Sequence, residues 1–364
     1  MLCKKIIISI LLFTGINCSL QAQLFERSKH FDKSFAVSKT TQLTVTNKYG
    51  NIHLVEWNKD SVRFEVELRV ADPKPQRVDK LFSEIDVVFN SSPYYVNATT
   101  TFSGSGSLWN ELSDMTKTVM NTGNAASIQY TIYLPNYLKV KIDNRFGNIY
   151  TTDHQNNTEF RLSNGTLQAN NLGGRTQILI EFGTASINQI DDGRIELNYS
   201  EMDLAKAEKL SLTGRSSTVE IADLKQLNLD SRRDKITIER LSSLTGSTSF
   251  SRLTIKELNT DCMLTSSYGS LQLLEPSPEL GFLQLKSDFT VTNIYAQPST
   301  DAEVEITSAR NAKINMPPSM SDVEKQNLST QPEAQFFKGK MGKGSRSNWK
   351  FDVSGGELNI FIKH

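Results

Sequence analysis

The chain has 364 residues, of which 40 are lysine or arginine and 40 are aspartate or glutamate, so its formal net charge is zero. This balance argues against a nucleic-acid-binding protein and against a general attraction to anionic membranes. Hydrophobic residues make up 38% of the chain. No stretch beyond the N-terminus is long and apolar enough to predict a transmembrane segment.

Residues 1–22 predict a secretory signal peptide. Two lysines at positions 4 and 5 precede an apolar stretch, residues 6–13, that is too short to span a bilayer, and Ala22 offers a cleavage site. The mature chain is therefore expected in the periplasm, on the outer-membrane surface or outside the cell. Cys18 raises the question of a lipid anchor, but residues 15–17 (Gly-Ile-Asn) match a lipobox poorly, so lipidation is not favoured. Cleavage after Ala22 leaves Cys262 as the single cysteine, which excludes an internal disulfide.

A repeat of 17 or 18 residues runs through most of the chain. The hexapeptide at 144–149 (Asn-Arg-Phe-Gly-Asn-Ile) nearly copies the one at 47–52 (Asn-Lys-Tyr-Gly-Asn-Ile). Apolar residues alternate around each repeat, as in strands with one buried face. Strands of successive repeats would stack in register, so the pattern predicts an all-β fold, a parallel β-solenoid of 17–18-residue rungs. The apolar residue that follows each bend marks the repeat: Ile149, Leu167, Ala185, Met202, Val219, Ile236, Leu253, Leu271 and Phe289.

Two further columns precede these marks. A small or turn-forming residue lies two positions before the mark, which predicts a bend whose backbone a bulky residue would not tolerate. These residues are Gly147, Gly165, Gly183, Ser200, Ser217, Asp234, Ser251 and Gly269. Alternation counted back from the inward residues predicts that the aromatic residues one position earlier stack inside the protein rather than offering a surface for sugars. They are Phe146, Phe182, Tyr199, Phe250 and Tyr268.

The remaining segments divide around this array. Residues 43–57 and 348–364 match the repeat and are expected to be the outer rungs, with residues 138–316 as the solenoid between them. Residues 58–137 would form an inserted lobe of antiparallel strands that covers the open N-terminal edge. Residues 317–347 are expected to be an irregular loop. Residues 104–123 and 318–347 are longer than idle loops usually are, which predicts that they are functional or disordered.

The signal peptide, the Asn-x-aromatic-Gly-Asn-Ile units and the strand repeats resemble an exported bacterial family of putative adhesins, a domain-of-unknown-function group with β-strand repeats. The resemblance covers most of the mature chain. It implies a right-handed, β-helix-like parallel fold in the cell envelope. The family carries no established catalytic or ligand-binding residues, so the resemblance assigns none here.

A search for chemistry finds no catalytic, cofactor or metal site. The four histidines have no partner at metal-ligand spacing, and no phosphate-binding or nucleophile motif is present. A β-helix raises the alternative of a carbohydrate-active enzyme of the lyase or glycosidase type, which needs paired carboxylates or an acidic cluster with a basic partner. Candidate acids fall in outward columns, where a solvated charge is the ordinary expectation: Glu196, Asp203, Glu220, Glu239 and Glu257.

Basic residues cluster on successive repeats, and they form the candidate surface for an anionic ligand: Arg215, Arg232, Arg233 and Arg252, with Lys235 nearby. Arg215 and Arg232 share one column. Stacked arginines about 5 Å apart repel unless an acid or a bound anion neutralises them, and Asp234 is a candidate for part of that role. Two interpretations stay open: a solvated edge with local ion pairs, or a site for an acidic glycan or a phosphate group.

The sequence thus predicts an exported, non-enzymatic interaction module whose partner is a glycan or another envelope protein. A mainly structural envelope protein is a third interpretation. A cluster of outward carboxylates on adjacent rungs would favour the enzyme. An exposed aromatic or arginine ladder would favour the binding module, and a plain polar surface would favour the structural protein.

Overall fold

The computed structural model describes residues 24–103, 126–327, 334–344 and 346–363. The predictions for the signal peptide at 1–22, for Cys18 and for the loop at 104–123 lie outside these residues. The described residues divide into two compact units. The smaller unit takes residues 24–29, 68–86, 102–103 and 126–127, and the larger unit takes the rest.

The described residues are nearly all β, with one α-helix, α1 (Pro75–Glu84). The strands before the repeat array are β1 (Phe25–Ala36), β2 (Gln42–Lys48), β3 (Ile52–Glu56), β4 (Ser61–Asp72), β5 (Ile85–Ser92), β6 (Tyr95–Phe102) and β7 (Ala126–Leu134). The array contains β8 (Lys139–Arg145), β9 (Ile149–Thr151), β10 (Thr158–Ser163), β11 (Thr166–Glu181), β12 (Thr184–Asn198), β13 (Glu201–Arg215), β14 (Thr218–Arg232), β15 (Lys235–Ser249), β16 (Arg252–Ser267) and β17 (Ser270–Pro276). The C-terminal strands are β18 (Phe282–Asp288), β19 (Thr290–Ala296), β20 (Ala302–Ala309), β21 (Lys313–Asn315), β22 (Ser321–Asn327), β23 (Ala334–Met341), β24 (Ser347–Val353) and β25 (Gly356–Ile362).

Helix α1 belongs to the smaller unit. Pro75 stands at its start, where the fixed φ of proline suits a helix and its missing N–H is not needed. Val78 and Leu81 are its buried residues. The guanidinium of Arg27 lies 4.3 Å from the ring centroid of Phe82, which adds a cation–π contact in the same unit. Among the described residues, no helix is long and apolar enough to cross a membrane.

The long strands of the larger unit form a mostly parallel sheet. Each of β11 to β16 pairs in parallel with the next, at an offset of 17 or 18 residues. Val219 lies opposite Ile236, and Ile236 lies opposite Leu253. All three side chains are buried. The prediction that these three residues are neighbours on one inner face is therefore confirmed.

The repeated hexapeptide has a structural explanation in the larger unit. Asn47 donates an amide hydrogen bond to Oδ1 of Asn144 at 3.2 Å, and Asn144 donates to the carbonyl of Gly50 at 3.0 Å. Both asparagines are buried, so these bonds satisfy polar groups that water does not reach. A Cβ atom on Gly147 would lie 2.0 Å from the carbonyl oxygen of Gly50. Each copy therefore needs Asn and Gly at the same places because the copies stack directly on each other.

Residues 43–57 do not lie at the outside of the sheet. Strand β2 pairs in parallel with β8 on one side and with β6 on the other, and β3 pairs likewise with β9 and β7. Ile52 lies opposite Ile149, as the shared hexapeptide predicts. The antiparallel lobe predicted for 58–137 is wrong for β6 and β7, which extend the parallel sheet. Alternation shows which face of a strand is buried, but it does not show the direction of the neighbouring strand.

The C-terminal strands are not in chain order. Strands β24 and β25 lie between β18 and β19 on one side and β20 and β21 on the other. The segment 348–364, expected to be an outer rung, is therefore interior to the sheet. The irregular loop predicted for 317–347 contains the antiparallel pair β22 and β23, and β23 also pairs with β20. The repeat carried no signal for this order because β20 and β24 have the same alternating pattern.

The repeat count fails near the end of the array. Leu264 lies opposite Leu285, because the connection between β17 and β18 is longer than the earlier ones. Leu271 accordingly lies opposite Thr292 and not opposite Phe289, the predicted ninth mark. Thr292 is buried, whereas Phe289 is 52% exposed. A constant repeat of 18 residues had placed Phe289 inside.

Candidate functional site

One residue beside each bend adopts a left-handed backbone, with φ between 46° and 66°: Tyr49, Phe146, Asn164, Phe182, Tyr199, Ser216, Arg233, Phe250, Tyr268 and Phe289. We call this set the left-handed column. Its aromatic members at the surface are 49–62% exposed: Phe182, Tyr199, Phe250, Tyr268 and Phe289. The prediction of an internal aromatic stack is therefore wrong for these five rings. Alternation holds only along extended backbone, and a left-handed residue breaks it.

The exposed rings stack on one another. The centroids of Phe250 and Tyr268 are 5.1 Å apart, and those of Tyr268 and Phe289 are 5.4 Å apart, with nearly parallel planes. A second stack joins Phe182 and Tyr199 at 5.3 Å. Left-handed backbone costs a residue with a side chain about 1–2 kcal/mol. Each aromatic pair contributes about 0.5–1.5 kcal/mol, so the stacking offsets much of this strain.

The bend column, the residues that follow the left-handed column, is small for a different reason than predicted. Its residues from Gly147 to Gly269 do not have left-handed backbone. Instead, successive layers approach closely here, and a Cβ atom on Gly165 would lie 2.0 Å from the carbonyl oxygen of Gly147. From Ser200 onwards, side-chain oxygens fill the column, and each accepts a hydrogen bond from the backbone N–H of the layer before. The donor–acceptor pairs are Gly183–Ser200, Ser200–Ser217, Ser217–Asp234 and Asp234–Ser251.

Asp234 is the charged member of the bend column, and it is only 4% exposed. Its carboxylate accepts hydrogen bonds from the amide of Ser217 at 2.8 Å, the hydroxyl of Ser231 at 2.6 Å and the amide of Arg232 at 3.0 Å. Burial raises the pKa of Asp234, although these three bonds and the charge of Arg215 act in the opposite direction. Asp234 therefore lies beneath the surface as part of the bend and does not pair with the exposed arginines.

The predicted basic residues separate into two groups. Arg215 and Arg232 lie opposite each other on β13 and β14. Arg215 forms an ion pair with Asp230 at 2.9 Å, so an acid two residues before Arg232 takes the role expected of Asp234. The other two predicted residues line a separate cavity of about 530 Å³ together with a lysine and an aromatic ring. We call these four lining residues the basic cleft: Arg233, Lys235, Phe250 and Arg252.

The basic cleft brings three positive charges to one concave surface. Lys235 and Arg252 lie opposite each other on β15 and β16, and both are exposed. The guanidinium of Arg233 lies 5.9 Å from the ring centroid of Phe250, while Tyr268 stacks on that ring from the following layer. Across the part of the chain that the structure describes, no carboxylate is within ion-pair distance of these three cations. The cleft therefore combines uncompensated positive charge with an aromatic ring.

Sequence reasoning had found two of these four residues as site residues. Phe250 was interpreted as interior, although an aromatic residue directly before a bend residue was a sign of the left-handed column. Lys235 was noted near the arginines but not included among the site residues. The in-register count that placed Arg215 opposite Arg232 also places Lys235 opposite Arg252, and this count was the signal that could have included it.

The other titratable candidates lie elsewhere. Within the described ranges, no group of three or more histidine, cysteine or acidic residues is placed to hold a metal ion. His154 is buried, with Nε2 at 2.6 Å from the carbonyl oxygen of Leu138, and burial lowers its pKa. Burial raises the pKa of the Cys262 thiol. Both residues therefore belong to the packed interior and not to a reactive site.

Comparisons with known proteins give weak similarities only. No family model matches the chain, and no curated protein matches it. A putative cell adhesion protein from Clostridium sporogenes is 9% identical, with 93% of this chain and all of that chain covered and a TM-score of 0.19. A putative adhesin from Bacteroides fragilis is 11% identical, with 74% of this chain and 97% of that chain covered and a TM-score of 0.31. A putative lipid binding protein from Parabacteroides distasonis is 9% identical, with 73% and 94% covered and a TM-score of 0.31.

Proposed function

We propose that this chain is an exported, non-enzymatic interaction module that binds an acidic glycan at the basic cleft. We also propose that its array is a parallel β-solenoid with rungs of 17 or 18 residues, which the constant pairing offset of β11 to β16 supports. In such a fold, outward side chains repeat about every 4.8 Å. A ligand with repeating groups can therefore meet the same column on several rungs.

The single observation that carries the proposal is the set of three cations around one cavity without a carboxylate partner among the described residues. Charged side chains so close together repel, and a bound carboxylate or sulfate would relieve that repulsion. Arg233 and Arg252 can each present two N–H groups to one anionic group. Phe250 offers an apolar surface beside them, which suits the carbon face of a sugar ring. Together these features favour an acidic saccharide over a free inorganic anion.

An enzyme at this cleft is not supported. Lyase and glycosidase chemistry requires an accessible carboxylate or another base beside the substrate. The acid that lines this cavity is Asp234, which is almost fully buried and accepts three hydrogen bonds from the bend. The cleft therefore offers binding groups without a general acid or base.

Calorimetric titration of the mature chain with oligogalacturonate, and with a neutral dextran oligomer of similar length, tests the proposal. We expect the acidic oligomer to bind and the neutral one not to bind. In the double variant Arg233→Gln/Arg252→Gln, affinity should fall by about tenfold or more for each charge-assisted contact that is lost. Binding should also weaken with added salt, because the interaction is at the surface.

Arg232→Gln is the matched control. Arg232 is an exposed arginine directly before Arg233 in the chain, but it is not among the residues that line the cavity. We expect this variant to bind like the wild type. An equal loss of affinity in Arg232→Gln and in the double variant would show a general charge effect, and it would overturn the cleft as the binding site. Unchanged binding in the double variant would have the same consequence.

Export is part of the proposal, on the strength of the signal-like residues 1–22. Mass spectrometry of the protein from its native cells tests it. An N-terminus at Gln23 is the expected result. A lipid-modified N-terminal Cys18 would instead place the protein on a membrane surface, and an unprocessed Met1 would overturn export.

A further inference from the structure

A second concave surface lies on the outer side of the strands that follow the bends. It is a groove of about 890 Å³ that crosses seven adjacent strands, from His53 on β3 to Glu239 on β15. These strands pair consecutively in parallel. At about 4.8 Å per strand, six intervals span about 29 Å. A groove of this length fits an oligomeric chain better than a single small molecule.

The groove is lined by groups that suit a saccharide. Amide side chains on consecutive strands, such as Asn170 and Asn188, are exposed along its middle. Alanines at 205 and 222 keep the floor low. The ring of Tyr150 stacks on His53 at 4.5 Å, which places an aromatic surface at one end. Backbone groups of these strands are engaged in the parallel sheet, so a peptide strand would find no free edge to pair with. Hydroxyl groups of a sugar chain can instead bond to the side chains.

The charge of the groove is opposite to that of the basic cleft. Asp203 and Glu220 lie directly opposite each other on β13 and β14, and both are exposed. No lysine or arginine is among the residues that line the groove. Glu239, further along, pairs with Lys256 at 2.9 Å. An acidic glycan would be repelled here, whereas an amino group would be attracted by the two neighbouring carboxylates.

We propose that this groove binds a linear oligosaccharide that carries amino groups. Its amino groups would lie at Asp203 and Glu220, its hydroxyl groups at the amides of the middle strands, and one sugar face against Tyr150. The site is separate from the basic cleft and takes a ligand of opposite charge. The two proposals therefore stand or fall independently.

The test is calorimetric titration of the mature chain with a glucosamine hexamer, with an N-acetylglucosamine hexamer and with hexalysine. We expect the glucosamine hexamer to bind most tightly. The double variant Asp203→Asn/Glu220→Gln should lose about tenfold or more of that affinity, which corresponds to loss of a charge-assisted hydrogen bond. Ala222→Trp should also abolish binding, because the larger side chain fills the floor of the groove.

Glu196→Gln is the matched control, since Glu196 is an exposed acid of β12 that does not line the groove. This variant, and Arg233→Gln/Arg252→Gln of the basic cleft, should bind the hexamer like the wild type. Three results would each overturn the proposal: no binding of the glucosamine hexamer, unchanged binding in Asp203→Asn/Glu220→Gln, or equal affinity for the N-acetylated hexamer. Tighter binding of hexalysine would also overturn it, in favour of a basic peptide.

Discussion

Gly147→Ala should destabilise the larger unit by forcing two layers of the sheet apart. A Cβ atom at this position would lie 2.0 Å from the carbonyl oxygen of Gly50 and 2.6 Å from its carbonyl carbon. Ordinary contact begins at 3.4 Å, so the backbones must separate by more than an ångström. Neither atom belongs to a flexible side chain, and both strands are fixed by pairing on each side. We expect a cost of about 1–3 kcal/mol in the free energy of unfolding.

Urea and thermal unfolding of the mature chain measure this effect. For domains of this general size, 1 kcal/mol corresponds to about 2–4 °C in Tm, so the expected decrease is about 2–12 °C. Gly281→Ala is the matched control. The nearest atom to its added Cβ would be the carbonyl oxygen of Thr260 at 3.6 Å, and its φ is not left-handed. That variant should be neutral or more stable by about 0.4–1 kcal/mol, because alanine restricts the unfolded chain.

The refuting result is specific. If Gly147→Ala unfolds at the same urea midpoint as the wild type while Gly281→Ala behaves as expected, the layers do not approach as closely as described. Hydrogen exchange adds a local measurement, since the amides of β2 and β8 should lose protection first in Gly147→Ala. Uniform loss of protection across the larger unit would also contradict the proposed cause.

Three more perturbations test other parts of the structure. Ser217→Ala leaves the buried amide of Ser200 without its acceptor, which should cost about 1–3 kcal/mol in urea unfolding; an unchanged midpoint would contradict the polar bend column. Burial raises the pKa of Asp234 above 3.8 in the folded state, so the folded chain binds more protons there, and stability contributed by this group is lost as pH rises through its folded pKa. Unfolding free energies of Asp234→Ser and wild type, measured from below pH 3.8 to neutral, should therefore change in favour of the variant as pH rises, and a constant difference would refute the shift. Trp349→Ala removes a fully buried side chain of β24 and should cost about 3–5 kcal/mol, whereas Phe361→Ala, at a 42% exposed ring, should cost far less; equal costs would argue against β24 as an interior strand.

The sequence predicted the parts of the fold that depend on local pattern. Val219, Ile236 and Leu253 could be placed on one inner face because burial of a strand face requires alternation and stacking requires a constant offset. The position of β24 between β18 and β20 could not be predicted. Its alternating pattern fits equally well beside several strands, and only packing in three dimensions selects one of them.

The candidate sites were predicted less completely, for two physical reasons. Arg233 and Arg252 were found because like charges on neighbouring strands are visible in a register count. Phe250 was missed because its left-handed backbone turns the ring outward, and a count of alternating positions assumes extended backbone throughout. The groove was missed because Asp203 and Glu220 were considered as catalytic acids only. Their small neighbours, which make the surface concave, were not considered with them.

The zero net charge of the chain now has a different meaning from the one that composition first suggested. Columns of outward side chains can keep one sign of charge over neighbouring strands, so positive charge gathers at Lys235 and Arg252 and negative charge at Asp203 and Glu220. The Debye length at physiological ionic strength is about 8 Å, so each patch acts on what lies directly against it and hardly on the rest of the surface. A balanced total therefore excludes a protein-wide electrostatic attraction but not two local sites of opposite preference. Salt should weaken both proposed interactions, and reversal of charge in one patch should leave the affinity of the other unchanged.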